Sequence, residues 1–316
     1  MSNDPGDTFQ IVRFGGSVPE MGLSFRSLRF GACLAACLSC TPTTGQLPEV
    51  AGTQQGPAAI GMDTRRFDAL VGVAADRMHL RCEGEGTPLV VFESGFGPGG
   101  DSSMWREVLP RVARETQACA YDRLGQGRSS PPPHPHSMRQ MARELHALLD
   151  TAERKGPFVL VGHSMGGAVA RWFEMEYKDE VAGIVLVDAT TAASAHDAFS
   201  TVTAEMLREW EATIRQMEGQ NRKDVIADLE SLRDSRQTLG AQPLVAITAG
   251  RPEGNLHLRQ ALRAEFDALS SNSVDIVAET SGHLVPLEQA ELVTSAALAV
   301  VYAARSGRSL SALPFP

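Results

Sequence analysis

A serine framed by glycines is the first setting in this chain that suggests chemistry. Ser164 stands in Gly162-His163-Ser164-Met165-Gly166-Gly167, directly after an apolar β-type run at 158–161 and directly before a helix-like run at 168–177. A strand that turns sharply into a helix leaves the residue between them strained and exposed, and the flanking glycines lack the Cβ atoms that would clash as the two elements approach. The Ser164 hydroxyl then projects from the sheet edge. The Met165 N–H faces the same space, at a helix N-terminus that favours developing negative charge. A serine hydroxyl is a poor nucleophile at neutral pH unless a base takes its proton. A neutral histidine suits that task, with a carboxylate to fix its tautomer and stabilise the imidazolium. The chemistry to look for is therefore nucleophilic attack by Ser164, with a histidine and an acid beside it.

The elements that must position such groups can be read along the chain. Buried strands are expected at 89–93, 117–121, 158–161, 183–187, 243–248 and 274–277, and an alternating one at 78–82. Residues 65–75 suit either a short helix or a strand. Helices are expected at 105–114, 138–154, about 256–269 and about 288–304. Buried strands alternating with helices imply a parallel sheet covered on both faces, with ligands at the carboxyl ends of the strands. Ser164, Asp188, Glu253 and His283 each follow an expected strand, so all can gather on one rim. Between 190 and 240 charged, helix-favouring segments replace the alternation, which reads as an inserted helical cap. The Gly-rich loop 94–100 has no following G-K-[ST], so it does not read as a nucleotide site. It can instead aim a second backbone N–H at an oxyanion.

Bulk properties bound the alternatives. The chain has 316 residues, 43% hydrophobic and 21% charged, enough for one large core. A net charge of −9 argues against nucleic acid as a partner. No run reaches the roughly 18 apolar residues of a membrane span, and the apolar run 292–304 reads as a buried C-terminal helix. No Cys/His spacing resembles a zinc site, and neither metal nor cofactor is expected.

Residues 1–20 read as disordered or as an over-extended start. From Met21 the pattern becomes that of a secretory signal: Arg26 and Arg29, an apolar run at 30–38, then small residues. Leu34-Ala35-Ala36-Cys37 resembles a bacterial lipobox, in which Cys37 would be lipidated, and Cys40 is a second candidate. Residues 1–40 are thus an extension and signal-like segment, 41–63 a flexible linker, and 64–316 the folded domain. Export, to the periplasm or to a membrane anchored through Cys37, is expected. Cytoplasmic residence follows if the segment is not a functional signal.

The motifs ESGFG (93–97), YDRLGQGRS (121–129), GHSMGG (162–167), LVDA (186–189) and SGHLVPLE (281–288) resemble, in content and order, those of the α/β-hydrolase superfamily. The resemblance covers about residues 75–304 and implies an eight-stranded, mostly parallel sheet with flanking helices and a helical cap. It also implies a triad in which Ser164 is the nucleophile and His283 the base. Two positions match the acid: Asp188, favoured here, and Glu253, in the family's commoner placement but with Glu for Asp. The oxyanion donors would be the N–H groups of Phe96 and Met165, with Ser94-Gly95 where many members have His-Gly. Asp122 and Arg123 match a structural turn. His163 is expected to pack behind the elbow, and His134 and His136 to be exposed in a Pro-rich loop. Serine at the nucleophile position argues against dehalogenase or epoxide hydrolase chemistry. The family topology sets Cys82 and Cys119 on adjacent strands, which in an exported protein suggests a disulfide. The implied activity is hydrolysis of a small or medium-sized carboxylic ester through an acyl-enzyme. The alternatives are amide, thioester or C–C bond hydrolysis, or a silent fold used for binding.

Overall fold

The computed structural model describes residues 66–132, 135–201, 203–251, 265–266 and 268–312. Cys37, Cys40, the linker, His134, Glu253 and most of the helix expected at 256–269 lie outside the described residues.

The centre of the sheet is made by strands apolar on both faces: β3 (Leu89–Glu93), β5 (Phe158–His163) and β6 (Val181–Val187). Continuous Val/Leu/Ile runs suit a parallel sheet buried on both sides. In β3, Leu89 and Val91 enter one core, while Val90 and Phe92 enter the other. Each large side chain removed from water in this way contributes roughly 1.5–3 kcal/mol. The chain enters through an antiparallel hairpin, β1 (Arg66–Val73) and β2 (Asp76–Glu83), so the stretch near 65–75 is a strand. With β4 (Ala118–Tyr121), β7 (Leu244–Ala249) and β8 (Ser273–Ala278), the spatial order is β1-β2-β4-β3-β5-β6-β7-β8. β2 pairs antiparallel with β4, and the pairs from β4 to β8 are parallel. Cys82 and Cys119 lie opposite each other on β2 and β4 and are joined by a disulfide.

The helices cover both faces. α1 (Leu109–Val112) is short. A continuous helix over 105–114 does not form, because Pro110 has no N–H for the Arg106 carbonyl and suits only a helix's first turn. The chain instead makes a 3₁₀ turn at Ser102–Trp105, capped by Asp101, and restarts at Leu109. α2 (Met138–Thr151) starts at Ser137, whose hydroxyl accepts the Gln140 N–H at 3.1 Å. It buries Met141, Leu145, Leu148 and Leu149 in one stripe, on the same side of the sheet as α3 (Met165–Glu176). Between β6 and β7 lie α4 (Ala192–Thr201), α5 (Ala204–Glu218) and α6 (Arg222–Ser235). α7 (Val285–Glu288) leads into α8 (Ala290–Ser306), which buries Val293, Ala297 and Val300 on the opposite face. Among the described residues, no helix is long and apolar enough to cross a membrane.

Candidate active site

Ser164 sits between β5 and α3 with φ 55° and ψ −129°, a region unfavourable to any residue with a Cβ. Such a conformation costs on the order of 1–3 kcal/mol and persists only when its surroundings enforce it. Here the Ser164 N–H donates to the Val187 carbonyl at 3.0 Å, and the Ser164 carbonyl accepts from Gly167 and Thr190, each at 3.0 Å. The glycines are required by backbone contact. A Cβ on Gly166 would lie 2.3 Å from the Ser94 carbonyl oxygen, and one on Gly162 would lie 2.7 Å from the Gly166 oxygen.

The structure brings Ser164, His283 and Asp188 together. His283 Nε2 is 3.0 Å from Ser164 Oγ, and its Nδ1 is 2.7 Å from Asp188 Oδ2. A carboxylate only accepts, so Nδ1 carries the proton and Nε2 offers its lone pair to the serine hydroxyl. Asp188 follows β6 with φ 43°, another strained position for a residue with a Cβ. Its Oδ1 accepts the Ala249 N–H at 2.9 Å, which fixes the carboxylate plane. The loop carrying His283 is held from two sides. Glu288 Oε2 accepts the Gly282 N–H at 3.1 Å, and His163 Nε2 donates to the His283 carbonyl at 2.7 Å.

His163 packs behind the elbow, 2% exposed. Burial, aided by the neighbouring His283, pushes its pKa down to about 4, so it is neutral at physiological pH. Its Nδ1 has no partner among the described residues, as expected of an uncharged ring whose one proton sits on Nε2.

The peptide that carries the Phe96 N–H begins at Gly95, which packs on the elbow: a Cβ there would lie 3.2 Å from Ser164 Cβ. Met165 opens α3, and an N–H at the first helical position has no carbonyl four residues back within the helix to accept it. The loop carrying Phe96 is braced by Ser94, whose hydroxyl accepts from Trp105 Nε1 and donates to the Asp101 carbonyl, both at 2.9 Å. An electrophile held at Ser164 Oγ would thus meet a hydroxyl, an imidazole and the N-terminal end of α3.

Beneath the loop lies a buried ionic cluster. Arg123 contacts both Glu93 and Glu218, all three inaccessible to solvent. Glu93 also accepts from Tyr121. Burial raises the Glu93 pKa against the opposing pull of Arg123, and the Arg123 guanidinium stays charged. Glu93 carried a readable signal, a charge closing an otherwise apolar strand. Glu218 carried none, being one of many charges on a cap helix. Asp122 fixes the turn: its carboxylate accepts from the Ser102 N–H at 2.8 Å, the Arg128 N–H at 2.9 Å and His79 Nδ1 at 2.9 Å. Burial opposes its ionisation, but these donors outweigh that and hold the carboxyl down at about 2.

One expectation is corrected. His136 is buried, not exposed. Its Nδ1 lies 3.1 Å from the Glu218 carbonyl and its Nε2 2.8 Å from a Glu144 carboxylate oxygen, so acceptors on two helices face the buried ring. Among the described residues, no three His, Cys, Asp or Glu side chains cluster as metal ligands. A cavity of about 290 Å³ lies beside Arg171, Leu186, Thr191, Leu229 and Phe266, and its described lining includes neither Ser164 nor His283.

A family model described as the alpha/beta hydrolase fold matches residues 88–250. The uncharacterised protein YqjL of Bacillus subtilis (strain 168) is 26% identical over 207 residues, which are 65% of this chain and 79% of YqjL. The 2-hydroxy-6-oxo-6-(2'-aminophenyl)hexa-2,4-dienoic acid hydrolase of Metapseudomonas resinovorans is 31% identical over 104 residues, 33% of this chain and only 36% of that enzyme's length. The solved structure of a thermophilic esterase from Thermogutta terrifontis, with malate bound, superposes with TM-score 0.54 at 21% identity. That match covers 76% of this chain and 99% of the esterase. At that identity the likeness is one of fold.

Proposed function

The chain belongs to the alpha/beta hydrolase fold family, and from that premise we propose that it is a serine hydrolase cleaving a small or medium-sized carboxylic ester through an acyl-enzyme. The observation that carries the reading is the chain of contacts from Ser164 Oγ to His283 Nε2, 3.0 Å, and from His283 Nδ1 to Asp188, 2.7 Å.

In this reading Ser164 Oγ attacks the acyl carbon while His283 Nε2 takes its proton. The carbonyl electrons move to oxygen, which the Phe96 and Met165 N–H groups stabilise. Asp188 stabilises the imidazolium through Nδ1–H without itself taking the proton. Collapse of the tetrahedral intermediate expels the alkoxide, which receives the proton from Nε2. Water then repeats the sequence on the acyl-enzyme, returning the carboxylic acid and free Ser164.

The same triad could open a different bond. The M. resinovorans relative is a hydrolase of a dienoic acid by name, which keeps amide, thioester and C–C bond hydrolysis as a second reading. Labelling with a fluorophosphonate, with Ser164→Ala as control, tests the nucleophile. Turnover of a panel of p-nitrophenyl esters of graded acyl length, set beside thioester and anilide analogues, tests the bond. Folded protein that takes no label would overturn the enzyme reading in favour of a binding protein.

The proposal extends to location. The signal-like pattern from Met21 and the Cys82–Cys119 disulfide support an exported protein anchored through Cys37. The mature N-terminal mass from cells tests this: a lipidated Cys37 supports it, and an intact 1–40 segment refutes it.

A further inference from the structure

Phe96 is flanked by two peptide planes, and each is held from outside its own loop. The plane that carries the Phe96 N–H also carries the Gly95 carbonyl, which accepts from Arg123 Nη2 at 2.6 Å. Carbonyl and N–H of one trans peptide point in opposite directions, so anchoring the carbonyl aims the N–H away from Arg123. Arg123 Nη1 holds the preceding Ser94 carbonyl, also at 2.6 Å. The plane that follows Phe96 carries the Gly97 N–H, which donates to Glu218 Oε1 at 3.2 Å. The Phe96 ring lies against the same guanidinium, 4.9 Å from centroid to Cζ. Arg123 and Glu218 are in turn joined, through Nε to Oε2 and Nη2 to Oε1, each 3.2 Å. Gln126 donates to Glu218 as well. Glu218 is the last residue of α5, between β6 and β7, 121 positions from Gly97.

We infer that Glu218 is a positioning residue that sets the direction of the Phe96 N–H, through Gly97 directly and through Arg123. This deepens the serine hydrolase reading and rests on it. The consequence is that a helix of the cap fixes an oxyanion donor. A displacement of α5 would be felt at Phe96 as a rotated amide. An oxyanion donor acts only when aimed at the position that the developing charge occupies, so small rotations matter. Arg123 keeps Glu93 as counter-ion when Glu218 is replaced, so the guanidinium is not left without a partner.

The test uses the full chain with Glu218→Ala and Glu218→Gln. Steady-state kinetics on p-nitrophenyl acetate would be set beside inhibition by a phenylboronic acid, whose tetrahedral adduct with Ser164 places an oxyanion in the same site. Expected for Glu218→Ala is a kcat lowered on the order of tenfold or more, KM within about threefold, and boronate affinity weakened in parallel with kcat/KM. Glu218→Gln retains an oxygen for the Gly97 N–H and should fall between. It carries the test, with a loss in kcat of about threefold as the threshold, if the alanine variant does not fold. Amide exchange of a peptide spanning 94–97 should accelerate in the variants while β5 stays protected. A residue that merely balances the charge of Arg123 would lower the melting temperature and leave kcat, boronate affinity and loop exchange unchanged; that pattern overturns the inference. Absence of turnover and of fluorophosphonate labelling in the unsubstituted protein would instead sink the hydrolase reading. Loop exchange would still decide whether Glu218 holds residues 94–97.

Discussion

His163 Nε2 donates to the backbone carbonyl of His283 at 2.7 Å, and the two rings sit 4.7 Å apart. The residue before the candidate nucleophile thus fixes the backbone of the loop that supplies the candidate base. Burial of the His163 ring makes the fold sensitive to acid. His163 has a folded pKa of about 4, lowered by burial, against the usual 6.5. The unfolded chain therefore binds more protons between those values. The stability is fully present above pH 6.5 and is lost as pH falls toward 4. Between pH 7.5 and 4.5 this one group should account for a loss of about 2–3 kcal/mol. Urea unfolding of the protein and of His163→Gln at the two pH values isolates it. Equal acid losses in both proteins would show that His163 is not responsible.

Asp188 accepts from His283 Nδ1–H and from the Ala249 N–H. In Asp188→Asn the amide can turn its NH₂ toward Nδ1, which places the imidazole proton on Nε2, facing Ser164, and leaves no base. Turnover should fall by about 10³–10⁴-fold with little change in melting temperature. Glu253→Gln should lose far less. The reverse order in ester turnover would give the role to Glu253.

Crowding at the elbow predicts an unequal response to the same substitution. A Cβ on Gly166 would meet the Ser94 and Glu93 carbonyl oxygens at 2.3 and 2.6 Å, whereas one on Gly72, in β1, meets nothing within 4 Å. Gly166→Ala should cost at least about 2–3 kcal/mol, since backbone must move. It should also depress kcat, because the atoms displaced belong to the loop that carries Phe96. Gly72→Ala should change stability by less than about 1 kcal/mol. Chemical denaturation of both variants measures the contrast, and equal costs would contradict the packing described.

The Cys82–Cys119 disulfide closes a separation of 37 residues, and both cysteines are 1% exposed or less. Loop-closure entropy assigns such a bridge roughly 4 kcal/mol. Cys82→Ser/Cys119→Ser should lower stability by an amount of that order. Dithiothreitol alone should reduce the native bond slowly, because no reductant reaches it without opening the sheet. Thiol titration with and without urea checks the second point. Rapid reduction of the native protein would show that the pair is accessible.

The parts legible in the sequence are those fixed by local physics. The apolar runs of β3, β5 and β6 must be buried on both faces whatever surrounds them. The glycines around Ser164 announce a strand-to-helix turn because only a missing Cβ allows the approach. Local reading also had its failures. The helix expected at 105–114 ignored what Pro110 forbids. A Pro-rich loop points His136 to solvent, but the oxygens facing its ring, on Glu144 and Glu218, belong to helices that the loop composition does not reveal.

What the sequence determined by itself was a serine on a strained turn, a parallel sheet behind it and a short set of residues able to reach one rim. Two acids remained open, and nothing pointed to Glu218 as a support for the loop at 94–97. Only the tertiary structure decided that His283 Nδ1 meets Asp188, 95 positions away, and that Gly97 meets Glu218, 121 positions away. The physical reason is range. Residue type and spacing govern torsions and turns over a few positions, whereas a hydrogen bond to a distant side chain depends on where folding carries both ends.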